Sequence, residues 1–214
     1  MDEILDLSHV ELRDRPLIVC DVDDVVLHFA APFQHFLRDE GYELIPRSFK
    51  LTGNVVSIAN QVEAEASEVK ELVRRFFDAQ ENWQVPLDLV VETLEYLATD
   101  ADVVFLTAMP PLYRDQRRRL LDRLSMAFPL VASEAPKGPI MHRLHAGRPL
   151  PSVFIDDMAH NLQSVRDHVE GCLLLQMMPD SPLHQLAPKP GEGVVRATDW
   201  PHAAELIRAH ITSG

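Results

Sequence analysis

The chain has 214 residues, of which 46% are hydrophobic and 25% are charged. This composition is typical of a globular protein with one domain, or one domain that carries a modest insertion. The formal net charge of −13 repels polyanions, so we expect no nucleic-acid duplex as a partner. A small phosphorylated ligand remains compatible with this charge, because a bound divalent cation reverses the local field.

The two cysteines, Cys20 and Cys172, lie far apart in apolar segments, so we expect two core thiols in a reducing compartment. The N-terminal residues are acidic and lack the basic and apolar regions of a signal peptide. No apolar run approaches the length of a membrane span. We therefore expect a cytoplasmic protein without a membrane partner, and the sequence leaves its oligomeric state open.

The first predicted element is a buried strand at residues 17–20, an apolar run that ends where acidic residues begin. Residues 29–85 then break the strand pattern. Their predicted elements are a helix at 31–40, a turn at Gly41, an irregular stretch through Pro46 and Gly53, and one or two helices ending at Phe77. An insertion after the first strand would lie above the carboxyl ends of the strands, where ligands bind in open α/β sheets.

From residue 86 onward, predicted strands and helices alternate. The helices are residues 86–97, 113–124, 161–169 and 201–211, and the strands are 103–106, 130–132 (the weakest), 153–155 and 172–176. Residues 181–193, rich in proline and glycine, predict a surface loop. This alternation predicts an α/β fold with a doubly wound parallel sheet. We assign residues 1–28 and 86–214 to that core, and 29–85 to a small helical cap.

Acidic residues cluster at the ends of two predicted strands. Asp21, Asp23 and Asp24 follow the first strand, and Asp156 and Asp157 follow a later one. Crowded carboxylates resist ionisation unless a cation relieves their repulsion. Because two strand ends can lie side by side in a doubly wound sheet, and Mg²⁺ prefers oxygen ligands, the two clusters together predict a magnesium site.

Two further polar residues follow predicted strands. The hydroxyl of Thr107 could donate to a phosphate oxygen, and Lys137 could supply a positive charge to the same phosphate. Each residue alone is more often a helix cap or a surface side chain. All the motifs in one order, each at a strand end, favour the functional interpretation.

Taken in order, these motifs resemble the four motifs of the haloacid dehalogenase (HAD) superfamily. They are Asp21-x-Asp23, Thr107, Lys137 and Asp156-Asp157. The long gap before Thr107 and the shorter one before Lys137 resemble members with a helical cap after the first motif and none after the second. The resemblance implies a Mg²⁺-dependent phosphatase that acts on a small phosphorylated substrate.

The resemblance also implies a role for each acidic motif residue. Asp21 would be the nucleophile and a metal ligand. Asp23 would protonate the leaving oxygen and then activate water, and its backbone carbonyl would contact the metal. Asp157 would complete the Mg²⁺ site, with Asp156 as a further or outer carboxylate.

The phosphoryl group would be held by residues that follow the strands. The resemblance assigns this role to Thr107 and Lys137, and also to Val22 and Ala108. Lys137 would in addition steady the nucleophile Asp21. A carboxylate attacks an anionic phosphate poorly, so Mg²⁺ and Lys137 must offset the negative charge.

Asp23 indicates the type of reaction, since the dehalogenases of this superfamily lack an acid at that position. A phosphate ester or anhydride is therefore the expected substrate class. A phosphonatase would need a cap lysine that forms a Schiff base, and neither Lys50 nor Lys70 lies in a pattern typical of one. A phosphomutase remains an alternative because it shares the motifs. An inactive module that binds a phosphorylated ligand is the non-enzymatic alternative.

Within the phosphatases, the chain has a fainter likeness to the 5′(3′)-deoxyribonucleotidase group. The likeness rests on residues 21–29, Phe33 and Phe36, residues 107–110, residues 155–157 and the aromatic pair Phe76 and Phe77. An aromatic side chain can stack on a nucleobase, although a pair at helical spacing is more often part of a core. Nucleotide specificity is thus a secondary hypothesis.

Asp24 departs from the family pattern, which usually has glycine there, and we expect its charge to lie near the phosphate site. The arginines at 114, 117, 118 and 119 predict a solvated helix face, from which Arg114 is near enough in sequence to reach a substrate. Among the histidines, His28 is the best candidate for a substrate contact. We expect most of the others (His35, His142, His145 and His160) at the surface or behind the residues that contact the substrate.

Overall fold

The structure is a computed structural model that describes residues 5–213. Its strands are β1 (Leu17–Cys20), β2 (Tyr42–Leu44), β3 (Val55–Ser57), β4 (Asp102–Thr107), β5 (Leu130–Ala132), β6 (Ser152–Asp156), β7 (Leu173–Met177) and β8 (Val194–Ala197). Its helices are α1 (Ala30–Asp39), α2 (Ala66–Asp78), α3 (Gln80–Trp83), α4 (Val90–Leu97), α5 (Arg114–Arg123), α6 (Lys137–His145), α7 (Ala159–Arg166) and α8 (Trp200–Ser213). Within residues 5–213, no helix is long and apolar enough to cross a membrane. The predicted core limits at residues 1 and 214 lie outside the described residues.

A parallel sheet of six strands, in the order β5-β4-β1-β6-β7-β8, runs through the described part of the chain. The chain leaves β1 for β4 and β5 on one side, and later for β6, β7 and β8 on the other. The predicted doubly wound parallel α/β sheet is therefore confirmed. The point where the strand order reverses is next to β1, and ligands bind at such points in open sheets.

Alternate residues of β1 pack into two apolar layers, because successive side chains of a strand point to opposite faces. Ile18 belongs to the layer that includes residues of α4 and α8, with the large Trp200. Leu17 and Val19 belong to the layer on the other face, which includes residues of α6 and α7. Apolar cover on both faces explains why β1 is a continuous apolar run in the sequence.

Residues 29–85 contribute none of the strands of the parallel sheet. They form α1, α2, α3 and an antiparallel pair of strands, β2 and β3, with an apolar cluster that includes Phe33, Phe36, Leu72 and Phe76. The β2–β3 pair was not predicted, since each strand has only three residues and a two-residue alternation cannot be recognised over that length. The division into core and cap stays a prediction.

One predicted helix begins later than expected, and one strand of the parallel sheet was not predicted. The helix expected from residue 86 begins only at Val90, because Leu89 adopts a left-handed conformation with φ 59°. The edge strand β8 was not predicted, since its four residues include two exposed ones and lack the fully apolar character of the inner strands. Both differences arise where local backbone geometry or sheet pairing overrides the apolar pattern.

Candidate active site

The parallel register of β1 with both neighbours brings the acidic motifs together. Cys20 pairs with Phe105 on β4 and with Ile155 on β6, so the residues that follow all three strands lie at one edge of the sheet. The amide of Asp21 donates to the carbonyl of Ile155 at 2.8 Å. As a result, Asp21 lies beside the acidic pair that follows β6.

Three buried carboxylates form the centre of this edge. Asp21, Asp156 and Asp157 each offer a carboxylate oxygen, and these oxygens lie within 4.8 Å of one another. Burial raises the pKa of Asp21 well above its usual range. Lys137 opposes this shift, and the neighbouring carboxylates add to it. Burial likewise raises the pKa of Asp157 to about 6. Ionising these groups together is unfavourable unless positive charge is supplied.

Lys137 supplies positive charge from the first residue of α6. Its Nζ lies 2.7 Å from Oδ1 of Asp21 and donates to Oδ2 of Asp156 at 2.7 Å, with only 1% of the side chain exposed. Burial alone would lower the pKa of Lys137, but Asp156 and Asp21 outweigh it and hold the pKa above its ordinary value. Lys137 is therefore a buried cation paired with two carboxylates.

Gly138 allows α6 to approach α7 closely enough to bring Lys137 into the site. A Cβ at this position would lie 2.1 Å from the carbonyl oxygen of Ser164, far inside contact distance. The amide of Gly138 also donates to the Ser164 hydroxyl at 3.0 Å. The close packing of the two helices thus depends on a residue without a side chain.

The oxygens of Asp156 are occupied by protein donors. Oδ1 accepts from the amide of Met158 at 2.8 Å and from Asn161 Nδ2 at 3.0 Å, while Oδ2 accepts from Lys137. Asp156 therefore orients Lys137 and Asn161. This arrangement is compatible with Asp156 as an outer carboxylate that does not bind the metal directly, one of the two roles that the sequence left open. Asp21 and Asp157 remain as the carboxylates suited to a cation.

The donor set fits a hard divalent cation such as Mg²⁺. Its carboxylates are oxygen ligands of the kind that Mg²⁺ prefers. Three buried carboxylates face one buried lysine, so negative charge exceeds positive charge at the centre of the site. A bound cation would remove this imbalance.

The carboxylate of Asp23 is turned towards α5. Its Oδ1 accepts from NH2 of Arg117 at 2.9 Å and from Nε2 of Gln84 at 2.8 Å. Its Oδ2 lies 3.2 Å from NH1 of Arg117 and 3.4 Å from the hydroxyl of Thr107. Thr107 at the end of β4 is thus next to Asp23, as two neighbouring strand ends require.

The expectation of a solvated arginine face is wrong for Arg117, which is 0% exposed and paired with Asp23. It holds for Arg119, an exposed residue that pairs with Glu81. The structure does not bring Arg114 to the site, because its Nε lies 3.5 Å from the carbonyl of Leu130 at the sheet edge. The spacing of arginines along a helix could not reveal which of them faces a buried carboxylate.

Asp24 has a left-handed backbone conformation, with φ 59°. Glycine adopts this conformation most readily and aspartate tolerates it, which explains why either residue can occupy the turn. The Asp24 carboxylate accepts from the amides of Phe29 at 2.8 Å and Ala30 at 3.0 Å, at the start of α1. The expected extra charge is therefore engaged by a helix N-terminus, where anions are stabilised.

His184 is a site residue that the sequence analysis missed, because it lies in the segment predicted as a surface loop. It is 4% exposed, and its Nε2 lies 3.4 Å from Oδ2 of Asp24 and 3.8 Å from Oδ2 of Asp157. Burial alone would lower its pKa, but the nearby carboxylates of Asp157 and Asp24 raise the pKa of His184 to about 9. Nothing in a loop rich in proline and glycine signals that one histidine folds inward.

A cavity of about 260 Å³ opens at this edge of the sheet. Its lining residues are Asp21, Asp23, Asp24, Phe29, Phe77, Thr107, Ala108, Met109, Asp157, Met158, His160 and Asn161. Of the predicted phosphate-binding residues, Thr107 and Ala108 line the cavity, whereas Lys137 is not among its lining residues and the side chain of Val22 is buried in the core. Of the aromatic pair, Phe77 lines the cavity and Phe76 is a core residue.

A second cavity of about 230 Å³ adjoins the first and shares Asp24, Phe29, Asp157 and Met158 with it. Its other lining residues are Phe49, Lys50, Leu51, Leu183 and His184. His28 lines neither of these cavities but a separate one beside Trp200. His160 is exposed, as expected, and also lines the first cavity.

No protein-family model matches the sequence, and no curated protein matches it significantly. Solved structures do match. A haloacid dehalogenase-like hydrolase from Streptococcus pneumoniae is 13% identical with a TM-score of 0.57, over 92% of this chain and 98% of that one. A second, from Xanthomonas campestris, is 14% identical with a TM-score of 0.59, over 93% and 97%. A HAD family hydrolase from Deinococcus radiodurans with bound phosphate and sodium is 15% identical with a TM-score of 0.58, over 91% and 96%.

Each of these matches covers nearly the whole of both chains, so the shared feature is the complete architecture and not one motif. The parallel sheet of six strands agrees with the fold class predicted from the sequence. This chain has the fold of the haloacid dehalogenase-like hydrolases.

Proposed function

We propose that the protein is a Mg²⁺-dependent phosphatase that hydrolyses a small phosphomonoester through a covalent aspartyl phosphate on Asp21. The observation that carries this proposal is the contact between Lys137 and the buried carboxylate of Asp21, 2.7 Å long, in a group of three carboxylates. A carboxylate attacks phosphate only when nearby positive charge offsets their repulsion. Mg²⁺ held by Asp21, Asp157 and the backbone carbonyl of Asp23 would supply further positive charge for this purpose.

In the first step, a carboxylate oxygen of Asp21 attacks phosphorus. A bond forms between that oxygen and phosphorus while the ester P–O bond breaks, and the electron pair stays on the leaving oxygen. The leaving oxygen takes a proton from the carboxyl group of Asp23. Lys137 and Thr107 hold the phosphoryl oxygens during the transfer, which depends mainly on positioning and electrostatic stabilisation.

In the second step, water attacks the phosphorus of the aspartyl phosphate. Asp23, now a carboxylate, takes a proton from the water, and the bond between phosphorus and the Asp21 oxygen breaks. The products are inorganic phosphate and the free carboxylate of Asp21. The same side chain therefore acts as the acid in one step and as the base in the other.

The second cavity supports a substrate whose leaving group has a flat apolar part. Its walls include the rings of Phe29 and Phe49 and the side chain of Leu183, with the exposed Lys50 also in the lining. A cavity of about 150 Å³ is large enough for benzene, so 230 Å³ is enough for one or two rings. An aromatic phosphate ester fits this description, and a nucleoside monophosphate is one member of that class. In this proposal, residues 29–85 act as the cap that selects the substrate.

The proposal is tested by phosphate release from p-nitrophenyl phosphate with and without Mg²⁺. We expect release by the wild type only with Mg²⁺, and none by Asp21→Asn that circular dichroism finds folded. A panel of nucleotides, sugar phosphates and phospho-acids then defines the substrate. Faster turnover of sugar phosphates than of aromatic esters and nucleoside monophosphates would contradict the apolar leaving group.

Two other outcomes would favour the alternatives. If wild type and Asp21→Asn release no phosphate from any ester, and no covalent phosphate forms on Asp21, the protein is a binding module. If the phosphoryl group is transferred to an added sugar phosphate faster than to water, the protein is a phosphomutase.

A further inference from the structure

We infer that Arg117 is a positioning residue that holds the carboxylate of Asp23 in the orientation needed for proton transfer to and from the substrate. The inference rests on the proposed phosphatase function. The guanidinium of Arg117 contacts both oxygens of Asp23, through NH2 at 2.9 Å and NH1 at 3.2 Å. Two contacts to one carboxylate define its plane as well as its position.

The guanidinium of Arg117 is itself fixed by three neighbouring side chains. Its Nε donates to Oε1 of Gln80, its NH2 donates to Oε1 of Gln84 at 3.0 Å, and its guanidinium lies 5.9 Å from the centre of the Phe77 ring. The side chain is 0% exposed, whereas Asp23 is 19% exposed and lines the first cavity. The rigid partner is thus buried and the reactive partner faces the place where substrate would bind.

The hydrogen bonds of Asp23 indicate how the substrate would engage it. A carboxylate has about four acceptor sites, and here they are directed to Arg117, Gln84 and Thr107. The contact with Thr107 is the longest, at 3.4 Å from Oδ2. If the Thr107 hydroxyl turns to a phosphoryl oxygen, Oδ2 gains a free site next to the leaving oxygen, while Arg117 and Gln84 still hold the other sites.

A purely structural role for Arg117 is the competing explanation, since a buried charge that loses its partner destabilises a protein. The two roles differ in which substrates they affect. Loss of stability lowers the amount of active enzyme and slows all substrates equally. Misplacement of Asp23 slows esters with poor leaving groups most, because these need a proton on the leaving oxygen.

The experiment compares benzyl phosphate, a poor leaving group, with p-nitrophenyl phosphate, a good one of similar size. Single-turnover rates of alcohol or phenol release, with enzyme in excess and Mg²⁺ present, report the first step alone. Arg117→Lys keeps the charge but loses the two-point contact. We expect it to slow benzyl phosphate by roughly 100-fold, the order typical of a misplaced catalytic group, and p-nitrophenyl phosphate by less than about threefold.

The matched control is Arg119→Lys, an exposed position on the same helix, which should change neither rate. In an Asp23→Asn background, Arg117→Lys should cause no further selective loss, because groups that act as a unit are not additive. If Arg117→Lys fails to fold, Gln80→Met removes the acceptor of Arg117 Nε and has no hydrogen bond with Asp23 to lose, so it should give the same selectivity in weaker form.

Equal slowing of both esters, or additive losses in the double variant, would overturn the inference about Arg117. Neither result would contradict the proposed phosphatase function, since the wild type would still turn over both esters. Absence of turnover by the wild type would instead contradict the proposed function itself.

Discussion

Nζ of Lys137 lies 2.7 Å from Oδ1 of Asp21, and the same ammonium group donates to Asp156 at 2.7 Å. Lys137 follows β5 and Asp21 follows β1, so two strands that are not neighbours contribute to one ion pair. The pair is buried on both sides. The same lysine therefore stabilises the folded sheet edge and, in the proposed mechanism, supplies the positive charge needed for attack on phosphate.

Lys137→Met should lower Mg²⁺-dependent phosphatase activity at least about 100-fold, because the positive charge beside the nucleophile is lost. It should also lower the free energy of unfolding, by about 3 kcal/mol, since two buried carboxylates lose their partner. Steady-state kinetics and urea denaturation measure the two effects. Lys50→Met changes an exposed lysine at the second cavity, so it is the control and should leave stability unchanged. Full activity in Lys137→Met would contradict the role of Lys137.

Gly138→Ala should destabilise the protein and lower activity together, because its Cβ would meet the Ser164 carbonyl at 2.1 Å and push α6 away. Overpacking of this kind costs about 1–3 kcal/mol. Gly191→Ala is the matched control, since its Cβ would meet only the flexible end of Arg166. Thermal unfolding and kcat distinguish the two variants. Equal melting temperatures for both would contradict the close packing of α6 on α7.

Mg²⁺ should stabilise the protein more at pH 7.5 than at pH 5. The pKa of Asp157 is raised by burial to about 6, and that of Asp21 is also raised, so at low pH protons compete with the cation. Without Mg²⁺, the stability of the protein should instead fall as pH rises. The folded state keeps protons that the unfolded chain has released, so Asp157 lowers stability as pH rises from about 4 through 6, and the raised pKa of Asp21 acts in the same direction.

Melting temperatures with and without Mg²⁺, taken across this pH range, measure both trends. Asp157→Asn is the control variant, and it should lose most of the stabilisation by Mg²⁺ at every pH. Stabilisation by Mg²⁺ that is independent of pH would contradict a site built from Asp21 and Asp157.

Asp24→Gly should lower stability even though glycine suits the left-handed backbone at φ 59°. The substitution removes the acceptor for the amides of Phe29 and Ala30, and a buried donor left without a partner costs about 1–3 kcal/mol. Asp24→Asn keeps an acceptor oxygen and tolerates the left-handed conformation, so it should lose less. Chemical denaturation ranks the three proteins. A glycine variant as stable as the wild type would mean that the carboxylate contributes nothing to the start of α1.

Elements with strong local patterns were predictable from the sequence. The apolar run at β1 signals a strand covered on both faces, and Asp21 directly after it is a local feature of the chain. The β2–β3 pair was missed because each strand is too short to have a pattern of its own. The start of α4 was misplaced because Leu89 takes a left-handed conformation that its residue type does not signal.

By itself, the sequence determined the parallel sheet and the order of Asp21, Thr107, Lys137 and the acidic pair, because apolar periodicity and strand-end residues are local properties. Only the tertiary structure decided that Arg117 faces Asp23 and that His184 folds in beside Asp24 and Asp157. These contacts join residues far apart in the chain. They depend on how a helix is rotated and how a loop is routed, and neither leaves a repeating pattern in the sequence.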